Sequence, residues 1–249
     1  MDFLLAVASG ILIGSVLGYV GAGGSMLAIP IFIYVFGLTP VVATTASLLV
    51  VFIGAASGAL PKLRRKEILV KEALTIWAIG LVTNLTGAYY LPRIPENILL
   101  TGFSLVLITA GVSMLIPTPT QSSEREVSPL ALIGISLIIG ALTGLFGIGG
   151  GFLAIPILIL FYNVAPARAA GTSLFIIMIN TLTGFFAHFR HWGEVNWLIP
   201  CIIALVALLV SRFASHHSST LSPVTLKRAF ALFVFTIALF TLVDTWVIT

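Results

Sequence analysis

Two glycine-rich runs are the stretches of this chain best suited to binding a ligand. GAGG covers residues 21–24 and GIGGG covers residues 147–151, and each interrupts an apolar region. Glycine forms helices poorly, so we expect each run to be a break where one short helix ends and another begins. The helix that follows a break exposes free N–H groups and the positive end of its dipole. The chemistry that this predicts is the binding of a small anion.

Hydroxyl side chains accompany both breaks. ATTASL covers residues 43–48 and AAGTSL covers residues 169–174, and each follows a proline that could open a helix, Pro40 or Pro166. These hydroxyls could donate hydrogen bonds to an oxyanion, or they could bond back to their own helix. Arg168 is the cation that could reach the same site. The predicted substrate-binding residues are Gly21, Gly23, Gly24, Ser25, Thr44, Thr45, Ser47, Gly147, Gly149, Gly150, Gly151, Arg168, Thr172 and Ser173.

A second group of polar residues, Asn84, Asn180, His188 and Arg190, could gate the anion site or couple it to a proton. Asn84 and Asn180 fall within apolar segments, where an amide is costly unless it is paired, so they could also join helices. His188 and Arg190 belong to the run HFRHWGE at the end of the eighth apolar segment. They could form an external anion vestibule or a protonation point, or they could simply lie at the membrane interface.

Acidic residues are informative because none is predicted in mid-membrane. All eight fall in loops or near the ends of segments: Asp2, Glu67, Glu72, Glu96, Glu124, Glu126, Glu194 and Asp244. A cation carrier, a carboxylate-coupled pump or an intramembrane protease is therefore disfavoured. The single cysteine, Cys201, excludes an internal disulfide and a cysteine metal cluster. We predict no catalytic residue, no metal and no cofactor, and expect that the chain is not an enzyme.

The composition requires a membrane to surround these residues. Hydrophobic residues make up 59% of the chain, charged residues only 8%, and the mean hydropathy is +1.18. Soluble domains carry about 25% charged residues, so the sequence predicts an all-α polytopic membrane protein. The N-terminus lacks a basic region, and we expect it to remain as the first helix. The excess of basic residues is typical of cytoplasmic loops, and no nucleic-acid partner is expected.

The two breaks belong to an internal repeat with an offset of 126 residues. Gly14 aligns with Gly140 and Ser47 with Ser173. The predicted division is a first transmembrane repeat at 1–117, a polar linker at 118–128 and a second repeat at 129–249. The predicted apolar segments are 3–20, 24–38, 41–60, 70–91 and 96–117, then 129–146, 150–163, 166–187, 195–213 and 223–247. The second segment of each half is short for a membrane span.

The distribution of charge predicts how the halves are oriented. If all five segments of a half reverse the chain, ten basic residues face one side and only Arg93 and Arg190 face the other. The positive-inside rule then assigns the ten to the cytoplasm. An odd number of crossings makes the two repeats inverted. Both termini are predicted to be extracytoplasmic, in the plasma (inner) membrane.

The paired motifs resemble those of the sulfite exporter TauE/SafE family. GAGGSMLAIP and GIGGGFLAIP carry the resemblance, together with ATTASL and AAGTSL downstream, and it spans essentially the whole chain. The first copy departs from the pattern, with Ser25 where the second copy has Gly151. The resemblance implies a plasma-membrane transporter of sulfite, organosulfonates such as sulfoacetate, or thiosulfate.

These observations together predict a secondary transporter that exports small sulfur-containing anions by alternating access. The two halves would rock about an anion site at the paired glycine breaks. Three alternatives stay open: a transporter of other small anions such as carboxylates, an anion channel, and a membrane scaffold or enzyme that transports nothing, of which the enzyme is the weakest. The expected partners are the small anionic substrate and the lipid bilayer, with a homodimer also compatible.

Overall fold

The computed structural model describes residues 2–20, 26–115, 129–149, 154–155, 158, 164–217 and 223–248. Within those residues the regular secondary structure is entirely helical, as the sequence predicts. The main helices are α1 (Asp2–Val20), α2 (Ala28–Pro30), α3 (Pro40–Arg64), α4 (Val70–Tyr90), α5 (Glu96–Leu115), α6 (Pro129–Phe146), α7 (Pro166–Ala187), α8 (Leu198–His217) and α9 (Pro223–Val243). Short helical turns follow α2 (Ile31–Val35), α4 (Leu91–Arg93), α7 (Phe189–Glu194) and α9 (Asp244–Ile248).

Proline fixes where several of these helices begin. Pro40 and Pro166 occupy the first turns of α3 and α7, where the missing N–H would have no helical partner. Both helices therefore start within one residue of the predicted position. Helix α3 continues past its predicted end at residue 60 and finishes among basic residues that favour a helix C-terminus.

The second predicted segment is shorter in the structure than in the sequence. Residues Ala28–Pro30 form α2, and the backbone then widens into a π-helical turn over Ile31–Val35. Pro30 has no N–H to donate and stands directly before that turn, which is where an α-helical pattern is easiest to break. The chain reverses at Gly37, whose φ of +65° is in the left-handed region. The corresponding segment of the second half, 150–163, falls mostly outside the described residues.

Helices α3 and α7 form the centre of the bundle and run antiparallel. Gly58 faces Leu174, and Gly184 faces Leu48, so the start of each helix lies beside the end of the other. Both are 61% buried over their most apolar windows, against 28% for α4. Around them α1 packs on α8, α4 on α6 and α5 on α9.

Small residues allow the outer pairs to approach closely. A Cβ at Gly140 of α6 would collide with the Gly80 carbonyl of α4, and one at Gly144 would collide with the Asn84 carbonyl. Gly14 of α1 meets the backbone of Ala207 in α8 in the same way. These glycines fulfil the packing role that their four-residue spacing predicts.

The helices have the length and composition needed to cross a bilayer. Among the described residues, four are long and apolar enough to span: Pro40–Arg64, Val70–Arg93, Glu96–Ser113 and Arg168–Ala187. Shorter apolar helices cover Asp2–Leu17, Leu130–Phe146, Leu198–Ala214 and Ala231–Val247. The chain is thus a multi-pass membrane protein.

Candidate anion site

The second glycine run begins with a sharp change of backbone direction. Helix α6 ends at Phe146, and the Gly147 N–H donates to the Thr143 carbonyl at 2.8 Å. Gly147 has φ +62° and Gly149 has φ +72°. Side chains rarely adopt these values, so both positions favour glycine. The predicted helix break is therefore present here, in the described part of the run.

Gly147 lies against the first turns of α3. A Cβ at this position would collide with the Ser47 hydroxyl and would lie 2.8 Å from the Thr44 carbonyl. The Thr44 hydroxyl also faces the Leu145 carbonyl, at a long 3.5 Å. The structure thus brings together three predicted site residues, Thr44, Ser47 and Gly147, from opposite halves of the chain.

Gly149 carries the same loop to the middle of α7. A Cβ there would lie 2.6 Å from Cγ2 of Ile177 and 3.0 Å from Cγ2 of Thr181. Ile148, between the two glycines, is completely buried. The loop therefore passes through the interior of the bundle, where exposed backbone must bond to protein, to water or to a ligand.

The hydroxyls in the first turns of α3 and α7 bond back to their own helices. Thr45 donates to the Val41 carbonyl at 2.8 Å, Ser47 to the Thr44 carbonyl at 2.8 Å and Thr172 to the Arg168 carbonyl at 2.8 Å. This is the alternative that the sequence left open. It does not remove these groups as ligand donors, because a helical carbonyl has a second lone pair and keeps its backbone N–H partner when the hydroxyl rotates.

Two buried asparagines contribute polar groups to the same region. Asn84 Nδ2 donates to the Asn180 carbonyl at 3.0 Å and to the Thr183 hydroxyl at 3.1 Å, which joins α4 to α7. Asn84 Oδ1 and both side-chain polar atoms of Asn180 have no partner among the described residues, and both residues are fully buried. Leaving such atoms unpaired is costly, so Asn180 has hydrogen-bonding capacity available for a ligand or water.

His188 is buried within the protein rather than exposed on its surface. It is only 1% exposed, directly after the last residue of α7. Its Nδ1 lies 3.1 Å from the Thr45 hydroxyl and its Nε2 lies 3.1 Å from the Gly144 carbonyl. A carbonyl can only accept, so Nε2 carries the proton and donates. His188 therefore links α3, α6 and α7.

The remaining predicted residues lie elsewhere. Arg168 is nine residues before Ile177, or roughly 13 Å along α7, so the described structure does not bring it to Gly149.

The Thr172 hydroxyl accepts a hydrogen bond from the Leu69 N–H at 3.0 Å, in the loop between α3 and α4. Ser173 is buried and Arg190 is exposed on the surface. The predictions for Gly21, Gly23, Gly24, Ser25, Gly150 and Gly151 fall outside the described residues.

The end of α7 that carries Arg168 meets the end of α3. A Cβ at Gly171 would lie 2.8 Å from the Glu67 carbonyl and 3.2 Å from Cδ of Lys62. Lys62 forms an ion pair with Glu67 at 3.7 Å, and both side chains are about one-third exposed. Lys62 aligns with His188 under the 126-residue offset, so two chemically different side chains occupy matching places.

Several buried hydroxyls were missed by the sequence interpretation. Thr143 and Thr181 are fully buried and border the glycine loop, Thr143 through the Gly147 N–H and Thr181 beside Gly149. Each is a lone hydroxyl in an apolar segment, which the sequence does not separate from a packing residue. None of the described Asp, Glu, Lys or Arg side chains is buried, so the site consists of uncharged donors and acceptors.

Known proteins resemble this chain along nearly its whole length. The sequence profile described as Sulfite exporter TauE/SafE matches residues 6–241. The probable membrane transporter protein YunE of Bacillus subtilis is 28% identical over 80% of this chain and 82% of its own length. A probable membrane transporter protein of Xylella fastidiosa is 28% identical over 98% and 97%. One from Methanocaldococcus jannaschii is 30% identical over 89% and 90%. The chain belongs to the sulfite exporter TauE/SafE family and is a multi-pass membrane transporter.

Proposed function

We propose that this transporter carries small sulfur-containing anions, namely sulfite, thiosulfate or organosulfonates such as sulfoacetate. The proposed site lies between the Gly147–Gly149 loop, the start of α3 and the middle of α7. The observation that carries the proposal is a left-handed glycine loop in the bundle interior, which contacts α7 at Ile177 and Thr181, within one helical turn of the buried Asn180, whose carboxamide has no partner among the described residues. The family supports the sulfur chemistry, since its name refers to sulfite export.

An uncharged site suits a substrate that must be released on the other side of the membrane. Backbone N–H groups, hydroxyls and an amide can hold an oxyanion through several moderate hydrogen bonds. A buried arginine would hold it more tightly, and no described arginine is buried. The absence of a described buried carboxylate also agrees with an anionic rather than a cationic substrate.

The proposed mechanism is alternating access between two inverted repeats, 1–117 and 129–249, joined by residues 118–128. Helix contacts support the repeat. Gly10 of α1 meets Val206 of α8, and the positions 126 residues away, Ser136 of α6 and Gly80 of α4, also meet. Such matching contacts between the halves are expected if a pseudo-two-fold axis relates the two repeats. Rocking of one half against the other would then expose the central site to each side in turn.

We further propose that the membrane potential drives export. An anion leaving a negative interior gains about 2.3 kcal/mol per charge per 100 mV. A dianion such as sulfite or thiosulfate therefore needs no coupled cation. In this proposal the protein lies in the plasma membrane, with both termini extracytoplasmic, and a homodimer is compatible with it.

The test is direct binding followed by flux. Purified protein is titrated with sulfite, thiosulfate, sulfoacetate, acetate and chloride, and binding is measured as an increase in the unfolding temperature. We expect the sulfur anions to stabilise the protein at lower concentration than acetate. Equal stabilisation by acetate would instead favour a carboxylate carrier.

Proteoliposome flux separates a carrier from a channel. Uptake of labelled sulfite should saturate with concentration and respond to an imposed potential. A flux that rises linearly with concentration, or unitary conductance steps in a planar bilayer, would favour an anion channel. No flux of any tested anion, in vesicles that retain folded protein, would favour a scaffold.

A further inference from the structure

A cavity lies at the surface of the bundle, and none of the residues of the candidate anion site line it. It has a volume of about 500 Å³ and occurs where α4 and α7 end. Its walls are apolar and include Leu85, Ala88, Ala187 and Phe189. Leu85 is 46% exposed and Phe189 is 59% exposed, so the cavity opens on the outward, lipid-facing surface.

The rim of this cavity is basic. Arg93, Arg190 and His191 line it, and Arg93 follows Leu85 by eight residues, or roughly 12 Å along the helix axis. The cavity thus extends from charged groups at the end of α4 down an apolar wall toward the membrane interior. This combination fits a molecule with an anionic head and an apolar tail.

The Arg93 guanidinium is held in place by one residue of α4. Its Nη1 donates to the Tyr89 carbonyl at 2.8 Å and its Nη2 donates to the Tyr89 hydroxyl at 3.2 Å. Its Cζ also lies 4.3 Å from the centre of the Tyr89 ring. These contacts use two of the five N–H donors of an arginine, which leaves others for a ligand.

No carboxylate among the described residues lies within ion-pairing distance of Arg93 or Arg190, whereas His191 contacts Glu194 at 2.8 Å. The rim therefore carries two arginines that form no ion pair among the described residues. Arg93 and Arg190 are also the two basic residues that the predicted topology places on the opposite side of the membrane from the other ten. Both exceptions to the positive-inside pattern line one cavity, which indicates a local reason for positive charge there.

We propose that this cavity binds an anionic phospholipid, with the phosphate against Arg93 and Arg190 and the first part of an acyl chain along Leu85 and Phe189. Charge complementarity selects an anion, and the apolar wall selects a lipid over a water-borne ion. A free phosphate would pair with the rim but would leave the wall unoccupied. Basic side chains at the membrane surface commonly bind anionic lipids in this way.

The test is native mass spectrometry of the full chain purified in detergent and titrated with phosphatidylglycerol or phosphatidylcholine. The double variant Arg93→Gln, Arg190→Gln should bind phosphatidylglycerol at least roughly tenfold more weakly than wild type. Its binding of phosphatidylcholine should not change. The matched control is Arg64→Gln, Arg65→Gln, which removes two exposed arginines at the other end of the bundle and should change the affinity less than twofold.

A second variant tests the apolar wall. Leu85→Ala should also weaken phosphatidylglycerol binding, and because Leu85 is half exposed and alanine adds no polar group, the variant should unfold close to the wild-type temperature in phosphatidylcholine nanodiscs. Phosphatidylglycerol affinity that is equal in wild type and the double arginine variant would overturn the proposal. It would also be overturned if inorganic phosphate or sulfite at millimolar concentration displaced the lipid and itself bound in an arginine-dependent manner.

Discussion

Gly147 shows why single residues decide the geometry of the candidate site. Its left-handed φ and its contact with Ser47 both disfavour a side chain. Other glycines of the chain allow backbone strain to be tested without the steric contact. Gly37 has nearly the same φ, +65°, and nothing lies within 4 Å of the place that a Cβ would occupy. Gly134 lies in α6 with open space around it. These two positions supply matched controls for strain and for helix propensity.

The first prediction is that Gly147→Ala impairs substrate binding more than Gly37→Ala does. Both variants force alanine into a left-handed conformation, at a cost of about 1–2 kcal/mol of stability. Only Gly147→Ala also displaces the Ser47 hydroxyl. Sulfite binding and thermal unfolding are measured side by side, with Gly134→Ala expected to unfold at or slightly above the wild-type temperature. Equal binding by the Gly147 and Gly37 variants would contradict the assignment of the loop.

Asn180 and Asn84 are equally buried, and the second prediction separates them. Asn180→Leu removes polar atoms that have no partner among the described residues, so stability should stay the same or rise. Anion binding should nevertheless weaken about tenfold or more, because a charge-assisted hydrogen bond contributes about 1.5–3 kcal/mol. The assay compares the unfolding temperature without anion and the affinity for sulfite.

Asn84→Leu is the control for this second prediction. It removes two hydrogen bonds between α4 and α7 and should lower the unfolding temperature. An Asn180→Leu protein that is less stable but binds sulfite normally would show that the amide serves only structure.

At the scale of elements, the bounds of the helices follow closely from the sequence. Pro129 and Pro166 open α6 and α7 at the predicted residues, and the glycine run that begins at Gly147 ends α6 at Phe146, because these residue types act on the backbone locally. The π-helical turn over Ile31–Val35 was not predictable, since nothing in IFIYV differs from an α-helical pattern. The interhelical role of His188 was not predictable either, because it depends on the contact of α7 with α3 and α6.

The third prediction concerns this link between helices. His188→Leu should destabilise the protein by about 1–3 kcal/mol, because it leaves the buried Gly144 carbonyl without the His188 donor and separates Thr45 from its partner. His191→Leu is the control, since His191 is partly exposed and pairs with Glu194 at the surface. Chemical or thermal unfolding in detergent measures both. Indistinguishable losses for the two variants would mean that the His188 link contributes little.

At the scale of the whole molecule, the sequence predicted the class of protein correctly, whereas the two-repeat division and the site residues stay predictions. The hydrophobic composition and the 126-residue offset are properties of the whole sequence, so a few unusual residues do not change what they predict. Which hydroxyls meet the glycines depends on the antiparallel crossing of α3 and α7. That crossing brings Thr44 and Ser47 to Gly147 but leaves Thr172 at the opposite end.

The fourth prediction tests the proposed orientation. In a Cys201→Ser background, Asn97→Cys lies at the start of α5 and Arg65→Cys at the end of α3, and both native residues are exposed. A membrane-impermeant maleimide added to intact cells should label Asn97→Cys and should label Arg65→Cys only after the cells are opened. The reverse pattern would place the termini in the cytoplasm.

His188 and Lys62 occupy matching positions in the two repeats but make different contacts, and this difference has a consequence for the transport cycle. One end of the central helix pair is held by a buried imidazole that bonds to two other helices, whereas the matching end has a partly exposed ion pair and the hydrogen bond from the Leu69 N–H to the Thr172 hydroxyl. Separating α3 from α7 therefore costs a different free energy at each end. We expect the unloaded carrier to rest with its Lys62 end open. Under the proposed orientation that end faces the cytoplasm, so the unloaded protein would present its site to anions inside the cell, while the anion gradient and the membrane potential set the direction of net transport.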